Sequence, residues 1–140
     1  MTHAFASLLD EWPDEPWFVE PRDRSDFSEE KRQMLFLRDL RMCGPSVIAW
    51  AVPNAAKRTR WAAAKAKREG MVAGALDLTL VWKGGQAFVE FKNGRDMPTP
   101  SQRDMLNRLY RAGHHCGVFR TGECLLEWLR SLGAPVRLRG

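Results

Sequence analysis

Residues 76–92 read LDLTLVWKGGQAFVEFK, and this stretch has the clearest structural pattern in the chain. Apolar and polar residues alternate on both sides of the central KGGQ, which is typical of two β-strands joined by a tight turn. We expect Gly84-Gly85 to form a two-residue loop from which the strands pair outward. In this register Asp77 lies opposite Lys92 and diagonal to Glu90, on one face of the hairpin. The other face is apolar and is expected to pack on a core formed by Leu76, Leu78, Leu80, Trp82, Ala87, Val89 and Phe91.

Further elements are predicted on both sides of the hairpin from caps, breakers and periodicity. Ser28 is a typical N-cap for a helix that runs to about Met42, and Thr99-Pro100 is a typical start for another. The order of elements predicts an α/β protein with a mixed central sheet flanked by helices, α-β-β-β-α-β-α. The remaining predicted elements are a short buried strand at Val47–Val52, a basic helix within residues 57–70, a strand at 115–121 and a last helix at 123–132.

Length and composition fit one compact domain. The chain has 140 residues, of which 44% are hydrophobic and 28% are charged, so it can bury a sizeable core. Its three cysteines have unrelated spacings, which indicates a reducing compartment rather than a disulfide framework. No apolar run is long enough to cross a membrane and the N-terminus is too acidic for a signal peptide, so we expect a cytoplasmic protein without a membrane partner.

Charge is distributed unevenly between an acidic start and a basic remainder. Residues 1–26 contain seven acidic and two basic residues, which leaves 20 basic and 10 acidic residues, a net charge of +10, for residues 27–140. We interpret residues 1–26 as an acidic, proline-containing arm that packs irregularly or stays mobile, and residues 27–140 as the functional domain. So basic a domain indicates a polyanionic partner, nucleic acid before membrane. The arm could fold over the basic domain as a nucleic-acid mimic, or it could pack locally.

The densest basic segment lies just before the hairpin. Alanines between its cations favour a helix, and Trp61 adds one large surface for packing or stacking. We expect this segment to bind nucleic-acid phosphates without regard to sequence, although a solvated helix face is the alternative. Its expected contact residues are Lys57, Arg58, Arg60, Lys65, Lys67 and Arg68, with Arg95 beyond the hairpin and Arg103, Arg108, Arg111 and Arg120 as further candidates.

The charged face of the hairpin suits a divalent metal. Two carboxylates about 7–8 Å apart across a strand pair can share a hard cation such as Mg²⁺, which also binds water and phosphate oxygens. Lys92 could then orient the nucleophile or stabilise charge on the phosphate. The alternative is an exposed salt bridge between Asp77 and Lys92, and spacing alone slightly favours it.

Several short motifs around the hairpin resemble the VRR-NUC family of the PD-(D/E)xK nuclease superfamily, over about residues 29–119. The resemblance implies a restriction-endonuclease-like core with metal ligands at Asp77, Glu90 and the main-chain carbonyl of Phe91. It implies that Lys92 is the catalytic lysine and that Gln102 helps to orient the site. The motifs are Gly70, Gly74-Ala75-Leu76-Asp77-Leu78, Val89-Glu90-Phe91-Lys92, Gly94-Arg95 and Pro100-Ser101-Gln102.

The family also has a glutamate on its first helix, a position that Glu29 or Glu30 could fill. Glu29 is the choice here because Gln33 follows it at the family's Glu-x-x-x-Gln spacing. One departure is Leu76, which stands where the family has proline before the motif aspartate. Proline there shapes the backbone and is not a ligand, so activity is expected to survive.

The expected function is therefore a DNA endonuclease that hydrolyses phosphodiester bonds with Mg²⁺ or Mn²⁺. The absence of other domains is typical of a stand-alone nuclease of phages or mobile elements, which would act in the bacterial host cytoplasm. Related junction-cutting nucleases act as dimers, so structure-selective cleavage and a homodimer are both compatible with the resemblance. The alternative is a non-catalytic nucleic-acid-binding module on a degenerate nuclease fold, or a structural phage protein.

Overall fold

The computed structural model describes residues 13–53 and 59–138, which form a mixed α/β fold as predicted. Helix α1 has Ser28 as its N-cap and α3 has Thr99, both as expected. The helices are α1 Glu29–Cys43, α2 Arg60–Arg68, α3 Pro100–Arg111 and α4 Gly122–Ser131, and the strands are β1 Phe18–Val19, β2 Ile48–Ala51, β3 Leu78–Trp82, β4 Gly85–Phe91 and β5 His115–Phe119.

The described strands form one five-stranded sheet in the order β1-β5-β4-β3-β2. Strands β2, β3 and β4 are antiparallel neighbours, whereas β4, β5 and β1 run parallel. One face of the sheet packs under α1 and α4, which contribute Phe36, Leu40, Leu125 and Leu129 to the larger core. The other face packs under α3 through Leu106. The carboxyl ends of β4 and β5 therefore lie together between two helical layers.

The β3–β4 hairpin has a different register from the one expected. Trp82 pairs with Gly85, so the loop is Lys83-Gly84, with Gly84 at φ +90°. Gly85 is the first residue of β4, and the position requires glycine because a Cβ there would lie 2.6 Å from the Trp82 indole, which packs across it. The partner of each β3 residue is displaced by two positions, which keeps the side chains of β3 and β4 on their predicted faces. Continued one step outward, the pairing sets Asp77 beside Glu90 rather than Lys92.

Leu76 is not on the face predicted for it. Strand β3 begins only at Leu78, so the alternation does not extend back to Leu76, and this side chain turns into the core under α3. The other predicted members of the apolar face all pack in the larger core, which confirms that face.

Strand β2 was expected to be buried, and this is wrong. It is an edge strand paired only with β3 in the sheet, and Ile48 and Trp50 are exposed. An apolar run of this length cannot by itself distinguish a central from an edge strand, because both are rich in large apolar residues.

The acidic arm is part of the sheet over its described portion. Phe18 and Val19 pair in parallel with Gly117 and Val118, and Trp17 is buried against α3. Of the two alternatives for the arm, irregular packing describes residues 13–17 and 20–26, whereas the strand at Phe18–Val19 was not predicted. Residues 1–12 lie outside the described part of the chain.

Two sequence-based expectations concern cysteines and membranes. Cys43, Cys116 and Cys124 are all free thiols. Among residues 13–53 and 59–138, the helices are too short or too polar to cross a bilayer.

Candidate active site

Two carboxylates meet at the open end of the β3–β4 hairpin, and each accepts a hydrogen bond from a backbone amide of the other strand. The Asp77 amide donates to Oε2 of Glu90 at 3.2 Å. The Phe91 amide donates to Oδ2 of Asp77 at 2.8 Å. Backbone pairing between β3 and β4 ends at Leu78 and Val89, and just beyond it these two backbone-to-side-chain hydrogen bonds link the chains instead. They fix both carboxyl groups beside the end of β4.

The lysine two residues after Glu90 completes the group from the same strand. Lys92 is only 6% exposed, and its Nζ lies 3.7 Å from Oε1 of Glu29 in the first turn of α1. Glu90 is 2% exposed. The alternative of an exposed Asp77–Lys92 salt bridge is therefore wrong, because α1 and α3 enclose this end of the hairpin. Glu29, and not the exposed Glu30, is the helix glutamate that reaches the site.

Helix α3 supplies the group that holds Glu90. The side-chain amide of Gln102 donates to Oε1 of Glu90 at 2.8 Å, while its own oxygen accepts from the Thr99 amide. Thr99 and Gln102 form a capping box, so the first turn of the helix fixes the Gln102 rotamer. Of the two Glu90 oxygens, one is thus bound by Gln102 and the other by the Asp77 backbone.

A close backbone contact brings α3 to the aspartate. Gly74 has φ +78°, and a Cβ at this residue would lie 2.2 Å from the Ser101 carbonyl oxygen. Only glycine permits both the left-handed conformation and this approach. Gly74 precedes Asp77 by three residues, and Ser101 precedes Gln102, so this contact sets the distance between the two halves of the site.

The site holds more negative charge than its surroundings compensate. Burial, followed by the neighbouring Asp77 charge, raises the pKa of Glu90 to about 9. Burial is also the main cause that raises the pKa of Asp77, with a further contribution from the charge of Glu29. Glu90 is buried and Asp77 is half-buried, and like charges in such a pair oppose joint ionisation, so the two groups share a proton when no cation is bound.

The donor set fits a hard divalent cation. Carboxylate and main-chain carbonyl oxygens are the ligands that Mg²⁺ and Mn²⁺ prefer, and Asp77 and Glu90 provide two carboxylates. The third predicted donor, the Phe91 carbonyl, belongs to the residue whose amide holds Asp77. A cation would also offset the charge repulsion that adds to burial in raising the pKa of each carboxyl group.

Glu29 was predicted to be a third carboxylate ligand beside Asp77 and Glu90, but the structure does not place it with them. Within the described ranges, no three His, Cys, Asp or Glu side chains are close enough together to hold a metal. The structure instead pairs Glu29 with Lys92, because α1 approaches the site from the face of the sheet opposite α3.

The predicted nucleic-acid-binding residues divide into exposed and buried groups. Arg60, Lys65, Lys67 and Arg68 are exposed along α2, and Arg95 is exposed after β4. Lys57 and Arg58 lie outside the described residues. Arg120 is 1% exposed, so it is wrong as a surface contact. Arg103 and Arg111 are occupied by ion pairs with Asp14 and Glu15.

A second charged cluster, which the sequence reasoning missed, lies beside the candidate site. Arg32 donates to both carboxylate oxygens of Asp23 and to three main-chain carbonyls, including that of Arg120. Arg120 in turn donates to the main-chain carbonyls of Glu20 and Asn93. One signal was available: Arg32 lies four residues before buried Phe36, on the inward face of α1.

Comparison of the chain with protein-family models, curated proteins and solved structures found no match.

Proposed function

We propose that this protein is a metal-dependent DNA endonuclease with a restriction-endonuclease-like core of the VRR-NUC type. The observation that carries the proposal is the pair of backbone-anchored carboxylates, with Glu90 bound by the Asp77 amide and Asp77 bound by the Phe91 amide, and with buried Lys92 directly after β4. Burying the Glu90 carboxylate and the Lys92 ammonium beside half-buried Asp77 costs several kcal/mol per buried ion unless the charges are used or fully paired. Such clusters are characteristic of functional sites.

Asp77, Glu90 and the Phe91 carbonyl are the proposed ligands for Mg²⁺ or Mn²⁺. When bound, the cation supplies Lewis-acid stabilisation of charge on the scissile phosphate and lowers the pKa of coordinated water. The protein holds the donors in place before binding, through the backbone amides that Asp77 and Glu90 accept from and through Gln102. Gln102 therefore acts as a positioning residue for Glu90.

Lys92 is the proposed catalytic residue on the protein side. Its stem is buried, and Glu29 holds its ammonium beside the carboxylates. From there the ammonium can donate a hydrogen bond to the attacking water or to a phosphate oxygen. Because it is buried, its charge is screened less than a surface charge and acts more strongly on the developing negative charge.

Cleavage of supercoiled, branched and single-stranded DNA with Mg²⁺ or Mn²⁺ tests the proposal. We expect cleavage that EDTA abolishes and that Lys92→Ala reduces by on the order of 10²–10³-fold. Lys83→Ala is the matched control, because Lys83 is exposed in the loop at the far end of the same hairpin. Equal rates for Lys92→Ala and the wild type would refute the site.

The second candidate function is a non-catalytic nucleic-acid-binding module on the same fold. Two features favour it: Leu76 replaces the family's proline, and Glu29 pairs with Lys92 instead of joining the carboxylates. DNA binding without cleavage on any of these substrates, at any concentration of either metal, would select this candidate over the nuclease.

A further inference from the structure

Helix α2 is the most one-sidedly basic element of the described chain. It carries Arg60, Lys65, Lys67 and Arg68, all exposed, and no acidic residue within its own bounds. The C-cap Glu69 is the nearest acid in sequence, and it lies 3.8 Å from Lys65. A surface of this kind attracts a polyanion and is not explained by packing, since Ala66 is the only buried residue of the helix.

Trp61 stands among these cations with its side chain in solvent. It is 71% exposed, and Nζ of Lys65, one turn further on, lies 5.7 Å from its ring centroid. A tryptophan rarely leaves so much apolar surface in water in a monomeric domain, and here the indole does not anchor the helix. An exposed aromatic ring flanked by cations is the arrangement that stacks on bases while the cations contact phosphates.

We propose that α2 binds single-stranded nucleic acid, with an unpaired base stacked on Trp61 and phosphates held by Arg60, Lys65 and Arg68. The proposal rests on the proposed function in taking nucleic acid as the substrate, and it adds a substrate class: strands with bases free to stack. In an intact duplex the bases are already stacked on each other, so phosphates can bind the cations but no base face can reach the ring.

The connection from α2 to the candidate site makes this contact relevant to cleavage. Arg68 precedes Asp77 by nine residues, so the two lie at most about 30 Å apart along the chain. Within this segment, Gly74 is fixed against the first turn of α3. A nucleic-acid strand bound to α2 is therefore bound next to the segment that ends at Asp77, one of the proposed metal ligands.

An anionic membrane surface is the competing partner for a basic helix that carries tryptophan. Insertion into a bilayer interface requires a broad apolar face, and the apolar residues of α2 other than Trp61 are alanines. Because one indole and a few methyl groups bury little area, the helix fits a strand with a base to stack better than it fits a membrane.

Fluorescence anisotropy in EDTA, where no metal-dependent turnover takes place, tests the contact. The probes are labelled oligothymidylate and a blunt duplex of equal length, and the proteins are wild type, Trp61→Ala, Trp61→Phe and Trp50→Ala. Trp50 is the matched control, because it is 49% exposed but belongs to edge strand β2 and not to the basic helix. Vesicles containing phosphatidylserine provide the membrane arm.

We expect Trp61→Ala to weaken single-strand binding by about 5- to 150-fold, which corresponds to the loss of one base–aromatic stack. Trp61→Phe should retain most of the affinity, and duplex binding and the Trp50→Ala protein should change by less than about twofold. An unchanged single-strand affinity for Trp61→Ala, or an equal loss on duplex, would overturn the proposal. So would Trp61-dependent binding to vesicles without Trp61-dependent binding to the strand.

The outcome is separable from the cleavage result. Stacking on Trp61 by a protein that never cuts would refute the nuclease and leave the contact in place. Cleavage that depends on Lys92 but not on Trp61 would do the reverse, provided the binding assay also shows no effect of Trp61→Ala.

Discussion

The carboxyl ends of β4 and β5 carry two buried charged clusters that differ in how their charges are compensated. In the cluster of Arg32, Asp23 and Arg120 (the Arg32 cluster), all five N–H groups of the Arg32 guanidinium have acceptors. Hydrogen bonding from Arg32 also holds the pKa of Asp23 below its usual value. In the candidate site, two carboxyl groups crowd together, and the pKa of Glu90 rises to about 9. The charges of the first cluster are compensated within the protein, whereas the second cluster has the excess of negative charge that the proposed cation would balance.

The largest difference should appear when one group is neutralised at the site. Glu90→Gln keeps the shape of the side chain and removes a proposed metal ligand, so we expect metal-dependent cleavage to fall by on the order of 10³-fold. The fold should survive, because the substitution removes the like-charge repulsion with Asp77. Cleavage rates and thermal melts of the same preparation check both parts, and a stable protein of undiminished activity would contradict the assignment.

Breaking the compensated cluster should cost stability instead. Asp23→Ala leaves the Arg32 guanidinium buried without its carboxylate, and we expect a loss of about 2–4 kcal/mol in the free energy of unfolding. This corresponds to a melting temperature lower by roughly 6–12 °C. The control is Asp26→Ala, since Asp26 is exposed in the same segment. Equal melting temperatures for the two variants would show that the Arg32 cluster does not stabilise the fold.

Two glycines test whether the site depends on the close approach of α3. Both Gly70 and Gly74 have positive φ, but a Cβ has open space at Gly70 and meets the Ser101 carbonyl at Gly74. Gly70→Ala should cost about 1 kcal/mol from backbone strain alone. Gly74→Ala should cost about 2–3 kcal/mol in unfolding free energy and also reduce metal affinity, because Ser101 and Gln102 must shift. Chemical denaturation and metal titration measure the two effects, and equal costs would remove the role of the contact.

The two clusters should respond to pH with opposite sign. Between its usual pKa of 4.5 and its folded value of about 9, Glu90 holds a proton in the metal-free fold that the unfolded chain has released. Stability in EDTA should therefore fall as pH rises through this window. Asp23, whose folded pKa is lowered from 3.8, contributes stability above that value and loses it as pH falls through the lowered pKa.

Melting curves in EDTA from pH 5 to 9 separate these contributions. We expect the Glu90→Gln melting temperature to fall less over this range than that of the wild type, by roughly 3–6 °C or about 1–2 kcal/mol. Saturating Mg²⁺ should stabilise the wild type most at the alkaline end, where both carboxylates ionise readily around the cation. Parallel pH profiles for the two proteins would contradict the raised pKa.

The smallest expected effect concerns Asp14 and Glu15, two residues of the acidic arm that form ion pairs with arginines of α3. Asp14 lies 3.1 Å from Arg103 and Glu15 lies 3.4 Å from Arg111, both in partly exposed pairs. Such pairs contribute about 0–1 kcal/mol, so Asp14→Asn with Glu15→Gln should leave the fold intact. Freeing two arginines should raise DNA affinity at low salt by about two- to fivefold, with a steeper salt dependence. An unchanged affinity would mean that the segment does not compete with phosphates.

The sequence was sufficient for local structure and insufficient for register. Alternation and caps predicted the hairpin, its buried face and the starts of α1 and α3, since each depends on neighbouring residues. The loop was misplaced by one residue because either KG or GG can turn, and the choice depends on Trp82 packing over Gly85. The resulting shift in pairing is two residues, an even number, so Asp77, Glu90 and Lys92 remain on their predicted face.

Contacts in the site between residues far apart in sequence were either implied only by the family resemblance or not predicted at all. Nothing local in the sequence relates Gln102 to Glu90, and the proximity of the two residues was implied only by the family motif. The pairing of Glu29 with Lys92, in place of a third ligand, depends on how α1 crosses the sheet. The strand within the acidic arm was missed because proline-rich acidic segments lack periodicity, and a strand of two residues is too short to show any.

The edge strand β1 has a consequence for how the molecule assembles. Phe18 pairs with Gly117, and the Glu20 carboxylate accepts hydrogen bonds from the backbone amides of Arg120 and Thr121, about a hundred positions later. Contacts this distant in sequence close the largest loops in the fold and so form slowly. During synthesis, residues 18–23 must wait for β5 to emerge from the ribosome. The cluster of Arg32, Asp23 and Arg120 beside the candidate site is thus among the last parts to form, and a nascent chain long enough to contain Asp77, Glu90 and Lys92 still lacks it.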